Sequence, residues 1–498
     1  MADLLPRLLS FPSSSPTAFE DGYNLHVREF IASVNELLPA TIDGSALKLD
    51  SILEHVDPSI HSLSYLLVLH FHGKTVEKSP HTVAASDTRL GGSFWARCLL
   101  FLRTFDPVQV RHAANEWHKL VGYVARSAER GNKPFLAVRP IRDAIIRTEL
   151  SSTLTTTHVL LSRLCLLART YTLALPVLDH TICQFSTTAD KPNHQQNESE
   201  IDITADLRLF GPQSNLSHTD HLRYFLYGGM IYMALKKWNK ARHFLSIVIS
   251  SPAINSVSLI MVEAYKKWVL VNLLEKGVVA PLPKVTPPLS IKLYKALAKP
   301  YDALASTFVA GEAEKLRGEA EFGHSIWRMD KNTGLVQQVL LAFRKQSVLR
   351  LSSTFAAVTT IDVSRRALSG TMDTNATERY ILSLAIQKQL SASLSHLPGE
   401  SKPSMLRFST AGNTQSTELE SDLEKRLLLQ QQKLSLLVHN IRTSDIKLEL
   451  GREYLDYLRR GQKHNEGMSK DGGQSGKTKG QDIDPDLDFD EDMMGDMH

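Results

Sequence analysis

"IQKQLSASLSHLPGESKPSMLRF", residues 386–408, opens as the end of a helix and then changes to a two-residue rhythm. Leu390, Ala392 and Leu394 fall on one face of an extended segment, "PGESKP" supplies a turn, and Leu406 and Phe408 return on alternate positions. Successive side chains of a strand point to opposite sides, so this alternation predicts a two-stranded hairpin. The hairpin stands about three quarters of the way along a chain that otherwise reads as helix.

Three helices lead into it. "LVQQVLLAFRKQSVLRLSSTFAAVT" (335–359) has helical apolar spacing with a β-branched tail, and "TTIDVSRRALSG" (359–370) opens on a Thr/Asp cap and closes at Gly370. "NATERYILSLAIQKQL" (375–390) reads as the third helix. Helix, turn, helix, strand, wing, strand is the order of a winged helix, expected here over 335–410. On the far side, "TELESDLEKRLLLQQQKLSLLVHNIRTSDIKLELGREYLDYLRR" (417–460) carries Leu427, Leu434, Ile441, Leu448 and Leu455 at an unbroken seven-residue interval. Leu423, Leu437 and Leu458 widen the stripe, so a long helix over 416–460 is expected to seek a groove on a partner. Gly451 costs that helix about 1 kcal/mol relative to alanine and marks a bend. Residues 461–498 are Gly/Lys-rich, then strongly acidic, and are expected to be a disordered tail.

Upstream, residues 25–334 read as helix after helix, a mainly α helical-repeat solenoid separated by short polar or Pro-containing breaks. "FLYGGMIYMALKKWNKARHFLSIVISSP" (225–252) places Phe225, Gly229, Tyr232, Ala241, Leu245 and Pro252 near the signature positions of a tetratricopeptide-like helix hairpin. Small Gly229 and Ala241 let two helices approach, with Tyr232 and Trp238 filling the groove. The polar interval 186–220 is expected to be a mobile surface insertion, and the Pro-rich "VVAPLPKVTPPLSIKLYK" (278–295) a joint between helical stacks. Residues 1–24, with an apolar stretch broken by Pro6 and a Ser/Pro run, are expected to be flexible and lack the form of a signal peptide.

With 498 residues the chain exceeds what one hydrophobic core supports, and 42% hydrophobic with 22% charged residues is the composition of a folded protein. A formal net charge of +4 creates no whole-molecule field for nucleic acid or membrane. The three cysteines, Cys98, Cys165 and Cys183, sit in or beside apolar runs at wide spacing, as buried reduced thiols do. No run of 18 apolar residues offers a membrane span. Cytoplasm and nucleus are the expected compartments.

Catalytic patterns break down on inspection. His70 and His72 begin a His-x-His zinc pattern whose next positions, a serine and an aspartate, are Pro80 and Val83, so no ligand set forms. "SGKTKG" (475–480) lacks the first glycine and the preceding strand of a phosphate loop. No cofactor motif and no small-molecule substrate site are expected. The third helix offers only Arg379 and Lys388 as cations, with Arg365 and Arg366 on the helix before, fewer than a base-reading helix carries. Direct nucleic-acid binding is therefore disfavoured.

A helical stack running into a winged helix resembles the PCI domain, which is shared by subunits of the proteasome lid, the COP-9 signalosome and a translation initiation factor. "ERYILSLAIQKQLSASLSHLPGESKPSMLRF" is similar to its closing segment, although "QKQ" replaces the usual acidic or glycine-containing turn and the wing turn is longer. "LCLLARTYTLALPVLD", "YFLYGGMIYMALKKWNKARHFLSIVISSPA", "MVEAYKKWVLVNLLEKG" and "GLVQQVLLAFRKQSVLRLSSTF" resemble the signalosome members of that family. The resemblance implies a non-catalytic scaffold subunit of an assembly that removes a ubiquitin-like modifier from the cullins of cullin-RING ligases. Its implied partners are other PCI and metalloprotease subunits. A neighbour's wing is then expected to complete the sheet along Leu390–Leu394 or Met405–Ser409, and the stripe through Leu427, Leu434, Leu437, Ile441, Leu448 and Leu455 to enter a bundle of helices.

Overall fold

The computed structural model describes residues 4–11, 21–41, 46–78, 90–148, 153–180, 182, 184–185, 216–252, 257–367, 373–387, 390, 392–395, 404–408 and 420–449. In chain order come α1 (Leu4–Leu9), α2 (Asp21–Thr41), α3 (Ala46–His55), α4 (Ser62–Lys78), α5 (Ser93–Thr104), the single turn α6 (Pro107–Val110), α7 (Ala114–Arg130) and α8 (Phe135–Thr148). Strand β1 (Thr153–Leu154), α9 (Thr156–Leu167), α10 (Tyr171–Leu178), β2 (Gln184–Phe185), α11 (His218–Ala234), α12 (Trp238–Ser250) and α13 (Leu259–Lys276) follow. Then come α14 (Pro288–Leu297), α15 (Lys299–Ala310), α16 (Ala313–Phe322), α17 (His324–Met329), α18 (Thr333–Thr354), β3 (Ala357–Thr359), α19 (Thr360–Ala367), α20 (Thr374–Ile386), β4 (Ala392–Ser395), β5 (Met405–Phe408) and α21 (Glu420–Glu449). The chain divides into two compact units, residues 1–414 and 415–498. This is a mainly α, helical-repeat fold.

The first unit has two cores. One runs from Leu8 to Phe343 through the helical hairpins, and a separate small one joins Val348, Val358, Val363, Ala367, Ile381, Leu384, Leu390 and Leu406. The N-terminal start is not loose: Leu8 and Phe11 are buried, Phe11 packs on Phe30 with ring centres 4.9 Å apart, and Ser64 Oγ donates to the Leu8 carbonyl. Residues 4–11 therefore cap the core, in place of the flexibility expected there, and residues 12–20 lie outside the described residues.

In the α11–α12 hairpin the close approach is made twice. A Cβ on Gly229 would stand 3.0 Å from the Leu245 side chain, and one on Gly228 would stand 2.6 Å from the Phe244 ring. Phe244 also meets Tyr232 edge-on at 5.1 Å, so the aromatic of this hairpin is Phe244, with Leu245 fully buried beside it. The polar interval before α11 ends earlier than expected. Ser217 caps the helix, its oxygen accepting from Thr219 N–H while Asp220 accepts from Ser217 N–H, so 218–220 are already helical. Residues 186–215 lie outside the described residues. At the Pro-rich joint, Pro288 begins α14 at a position where its missing N–H costs nothing.

Hairpin turns repeat one hydrogen-bonding pattern. Lys133 N–H reaches the Ala128 carbonyl, Thr170 that of Cys165, Lys237 that of Tyr232 and Asn332 that of Trp327. In each, the preceding residue is left-handed: Asn132 (φ 52°), Arg169 (54°), Lys236 (57°) and Lys331 (56°). Glycine is the default at this helix-end position because it has no Cβ to crowd the carbonyl. We expect Lys236→Gly to raise stability by about 0.5–1 kcal/mol, read as a higher urea midpoint at unchanged slope. A lower midpoint would mean that the lysine's attraction to the helix C-terminus outweighs the strain.

The expected two-stranded ribbon is three-stranded. The helix read as 335–359 stops at Thr354, and Ala357–Thr359 pair antiparallel with β5, giving the order β3–β5–β4. Phe355 is already extended (ψ 135°), and β-branched Val358 and Thr359 favour continuing that extended backbone as a strand.

Candidate interaction surfaces

Strand position decides which backbone groups are available for docking. Phe408 N–H donates to the Ala356 carbonyl and Thr360 N–H to that of Ser404, both at 2.9 Å. With Val358 opposite Leu406, antiparallel alternation turns the backbone of Leu406 toward β3 and that of Met405 and Arg407 toward β4. Ser395 and Ser393 stand opposite those two. The N–H and C=O groups of Ala392 and Leu394 therefore turn away from β5. β5 is the middle strand, so Met405–Phe408 of the expected Met405–Ser409 edge is not an edge, and the outer side of β4 takes that place; Ser409 lies outside the described residues. The hairpin alone did not reveal this, because the third strand is only three residues long.

Side chains sort accordingly. Leu390 and Leu406 are buried in the small core, and Ala392, Leu394 and Phe408 are half-buried against it. Met405 is half-buried on the opposite face with Ser395. These positions build the module; what β4 presents outward is backbone. Next to it, α20 buries Thr377, Ile381 and Leu384 and exposes Asn375, Arg379, Leu382 and Ile386. Ile386 is 81% exposed. An outward face that carries one cation and two aliphatic side chains is suited to protein contact and poorly suited to reading bases. Lys388 lies outside the described residues, and Arg366 stacks over Phe355 at 5.0 Å.

The second unit's described part is α21. Leu427, Leu434, Leu437 and Ile441 are exposed, Leu434 by 62% and Ile441 by 58%. Leu428, Leu429, Leu436 and Val438 are exposed as well, so the apolar surface extends beyond the heptad stripe. Leu448 is helical, and Leu455 lies outside the described residues.

The His-x-His pair stands in α4 with both rings buried. His72 meets the Phe94 ring edge-on at 4.8 Å, and burial holds His70 down at about 4, helped by Lys74 and Lys119. Pro80 and Val83 lie outside the described residues. Among the described residues no three His, Cys, Asp or Glu side chains converge as metal ligands, and no helix is long and apolar enough to cross a membrane. Cys98 and Cys165 are buried free thiols, and burial pushes Cys165 up to about 12. Cys183 lies outside the described residues.

Comparison with known proteins agrees with these elements. A family profile for the N-terminal helical repeats of COP9 signalosome complex subunit 3 matches residues 26–290. COP9 signalosome complex subunit 3 of Emericella nidulans is 38% identical over 100% of both chains. The subunit of the same name from Drosophila melanogaster is 30% identical over 70% of this chain and 74% of its own, and that of Dictyostelium discoideum 26% over 83% and 89%. The hairpins α9–α10 and α11–α12, whose sequences carry the signalosome resemblance, lie inside the matched region, and the chain belongs to the COP9 signalosome complex subunit 3 family.

Proposed function

We propose that the protein is a non-catalytic scaffold subunit of the signalosome, holding neighbouring subunits in an assembly that removes a ubiquitin-like modifier from cullins. The β3–α19–α20–β4–β5 module acts as the winged helix of a PCI domain. A neighbour's strand adds to the outer side of β4, and α21 enters a bundle of partner helices. Catalysis belongs to a metalloprotease subunit, cullin-RING ligases are met through the complex, and the protein works in cytoplasm and nucleus. The observation that carries this is the orientation of Ala392 and Leu394, whose backbone donors and acceptors face outward on an edge strand. Such an edge is a template for strand addition.

The test is a pair of prolines. Ala392→Pro removes only an outward N–H and should leave the module folded while lowering incorporation into the multisubunit particle about tenfold, the scale of one or two lost interfacial hydrogen bonds. Ser393→Pro removes an N–H that pairs with β5 and should destabilise the module itself. Co-expression with partner subunits followed by native mass spectrometry reads both. Full incorporation of Ala392→Pro would rule out β4 as the docking edge.

A further inference from the structure

The turns ending α7, α9, α11 and α13 lie along one edge of the stack. α9 packs on α7 and on α11, and α11 on α13. His158, third residue of α9, meets Tyr224, seventh of α11, ring centres 6.1 Å apart. At the end of the short α10, Leu178 lies against Gly228 and Asp179 bonds Lys240, so the turn at Arg169 lies on the same edge as the turn at Lys236. Glu129 in the last turn of α7 bonds Arg163 of α9 at 3.0 Å. Arg242, fifth residue of α12, bonds Glu275 in the last turn of α13 at 2.6 Å. With neighbouring axes about 8–10 Å apart, four turns make a row about 30 Å long.

Charge on this edge is one-sided. Its carboxylates are taken: Glu129 by Arg163, Asp179 by Lys240 at 2.7 Å, and Glu275 by Arg242. Arg130, Lys133, Arg169, Lys236, Lys237 and Lys276 are exposed and make no ion pair among the described residues. Six cations exceed the whole chain's net charge of +4. Two of them, Arg169 and Lys236, hold left-handed positions where the turn after α13 uses Gly277 (φ 70°), so a cation is kept there against backbone strain of about 1 kcal/mol. Between the cations stand exposed apolar side chains: Phe135 (54%), Leu167 (55%) and Val278 (52%).

We propose that this edge binds an extended acidic segment of a partner protein in which carboxylates alternate with apolar side chains. A phosphodiester chain would meet the cations but leave Leu167 and Val278 facing water, so the apolar residues favour a peptide. A row of this length takes about nine or ten residues of extended chain.

The full-length chain is titrated into a fluorescein-labelled peptide of repeated Asp-Leu-Asp-Phe, read by anisotropy at low salt. Binding is expected to weaken at least about tenfold in the double variant Arg169→Glu with Lys236→Glu, and to weaken for a repeated Asp-Ser peptide that keeps only the charges. Arg169→Gly with Lys236→Gly should be at least as stable as the native chain and still bind less well, which separates recognition from folding. Unchanged affinity in the Glu variant overturns the proposal. Equal affinity for the Asp-Ser peptide overturns its apolar part, and tighter binding of a single-stranded oligonucleotide of equal length overturns the choice of a protein partner. Tighter peptide binding by a chain cut after residue 481 than by the full chain overturns the choice of another protein in favour of this chain's own "DLDF" segment, residues 486–489.

Discussion

Leu434→Asp combined with Ile441→Asp leaves the isolated chain as stable as before and removes it from the assembled particle. Both side chains are more than half exposed, 62% and 58%, and surface substitutions of this kind change stability by about 0.5 kcal/mol at most. In a bundle the same positions lose their water. Each contributes about 1.5–3 kcal/mol when buried, so a pair is worth about 4 kcal/mol, and every 1.4 kcal/mol is a factor of about ten in affinity. Assembly should weaken about a thousandfold or more, since the new carboxylates also resist desolvation. The measurement is particle yield after co-expression, beside urea unfolding of the purified chain. Normal yield removes α21 from the interface. Early unfolding would show instead that the stripe serves the chain's own fold. The control Gln432→Asp, exposed on the side of the helix opposite Leu434, should assemble normally.

What the sequence revealed follows from how local each signal is. The hairpin was legible because Leu390, Ala392, Leu394, Leu406 and Phe408 alternate over enough residues to show a period. β3 was not, because Ala357–Thr359 is too short to show one and continues directly from a helix. Without that strand the sequence presents β5 as a possible edge. The start of α11 was missed, because its capping box "SHTD" sits inside a polar stretch that reads as an insertion up to residue 220. The basic edge left little local mark: left-handed turns announce themselves through Gly or Asn, and of the edge's four turns Asn132 and Gly277 conform while Arg169 and Lys236 do not. Arg169 and Lys236 become neighbours through packing between hairpins 67 positions apart, which no window of sequence contains. The heptad of α21 was plain, but a stripe states only that something covers it.

Lowering pH from 6.5 to 5 should destabilise the helical stack by at least about 3 kcal/mol, because its buried histidines are held neutral. His158 is 4% exposed and lies at about 3, pushed down first by burial and then by His118 and His180. Its Nδ1 accepts the Thr155 backbone N–H at 3.3 Å, a bond that only the unprotonated nitrogen makes. His70, 3% exposed, lies at about 4, chiefly through burial. In the unfolded chain both return to about 6.5. Protons then bind the unfolded state more tightly, so the stability these rings provide is complete above pH 6.5 and is lost as pH falls toward their folded values. Each contributes about 1.5 kcal/mol of that loss by pH 5, approaching a slope of about 1.4 kcal/mol per pH unit. Burial also holds His118 and His221 at about 4, which steepens the loss in the same direction. His158→Gln is the informative variant. Glutamine serves at this third helical position of a capping box, so the start of α9 stays capped while one titrating group disappears. Urea unfolding at a series of pH values should show the slope between pH 6.5 and 4 reduced by about one proton's worth. A native chain whose stability is flat across that interval would mean that these rings are already hydrated in the folded state, and an unchanged slope in His158→Gln would place the effect elsewhere.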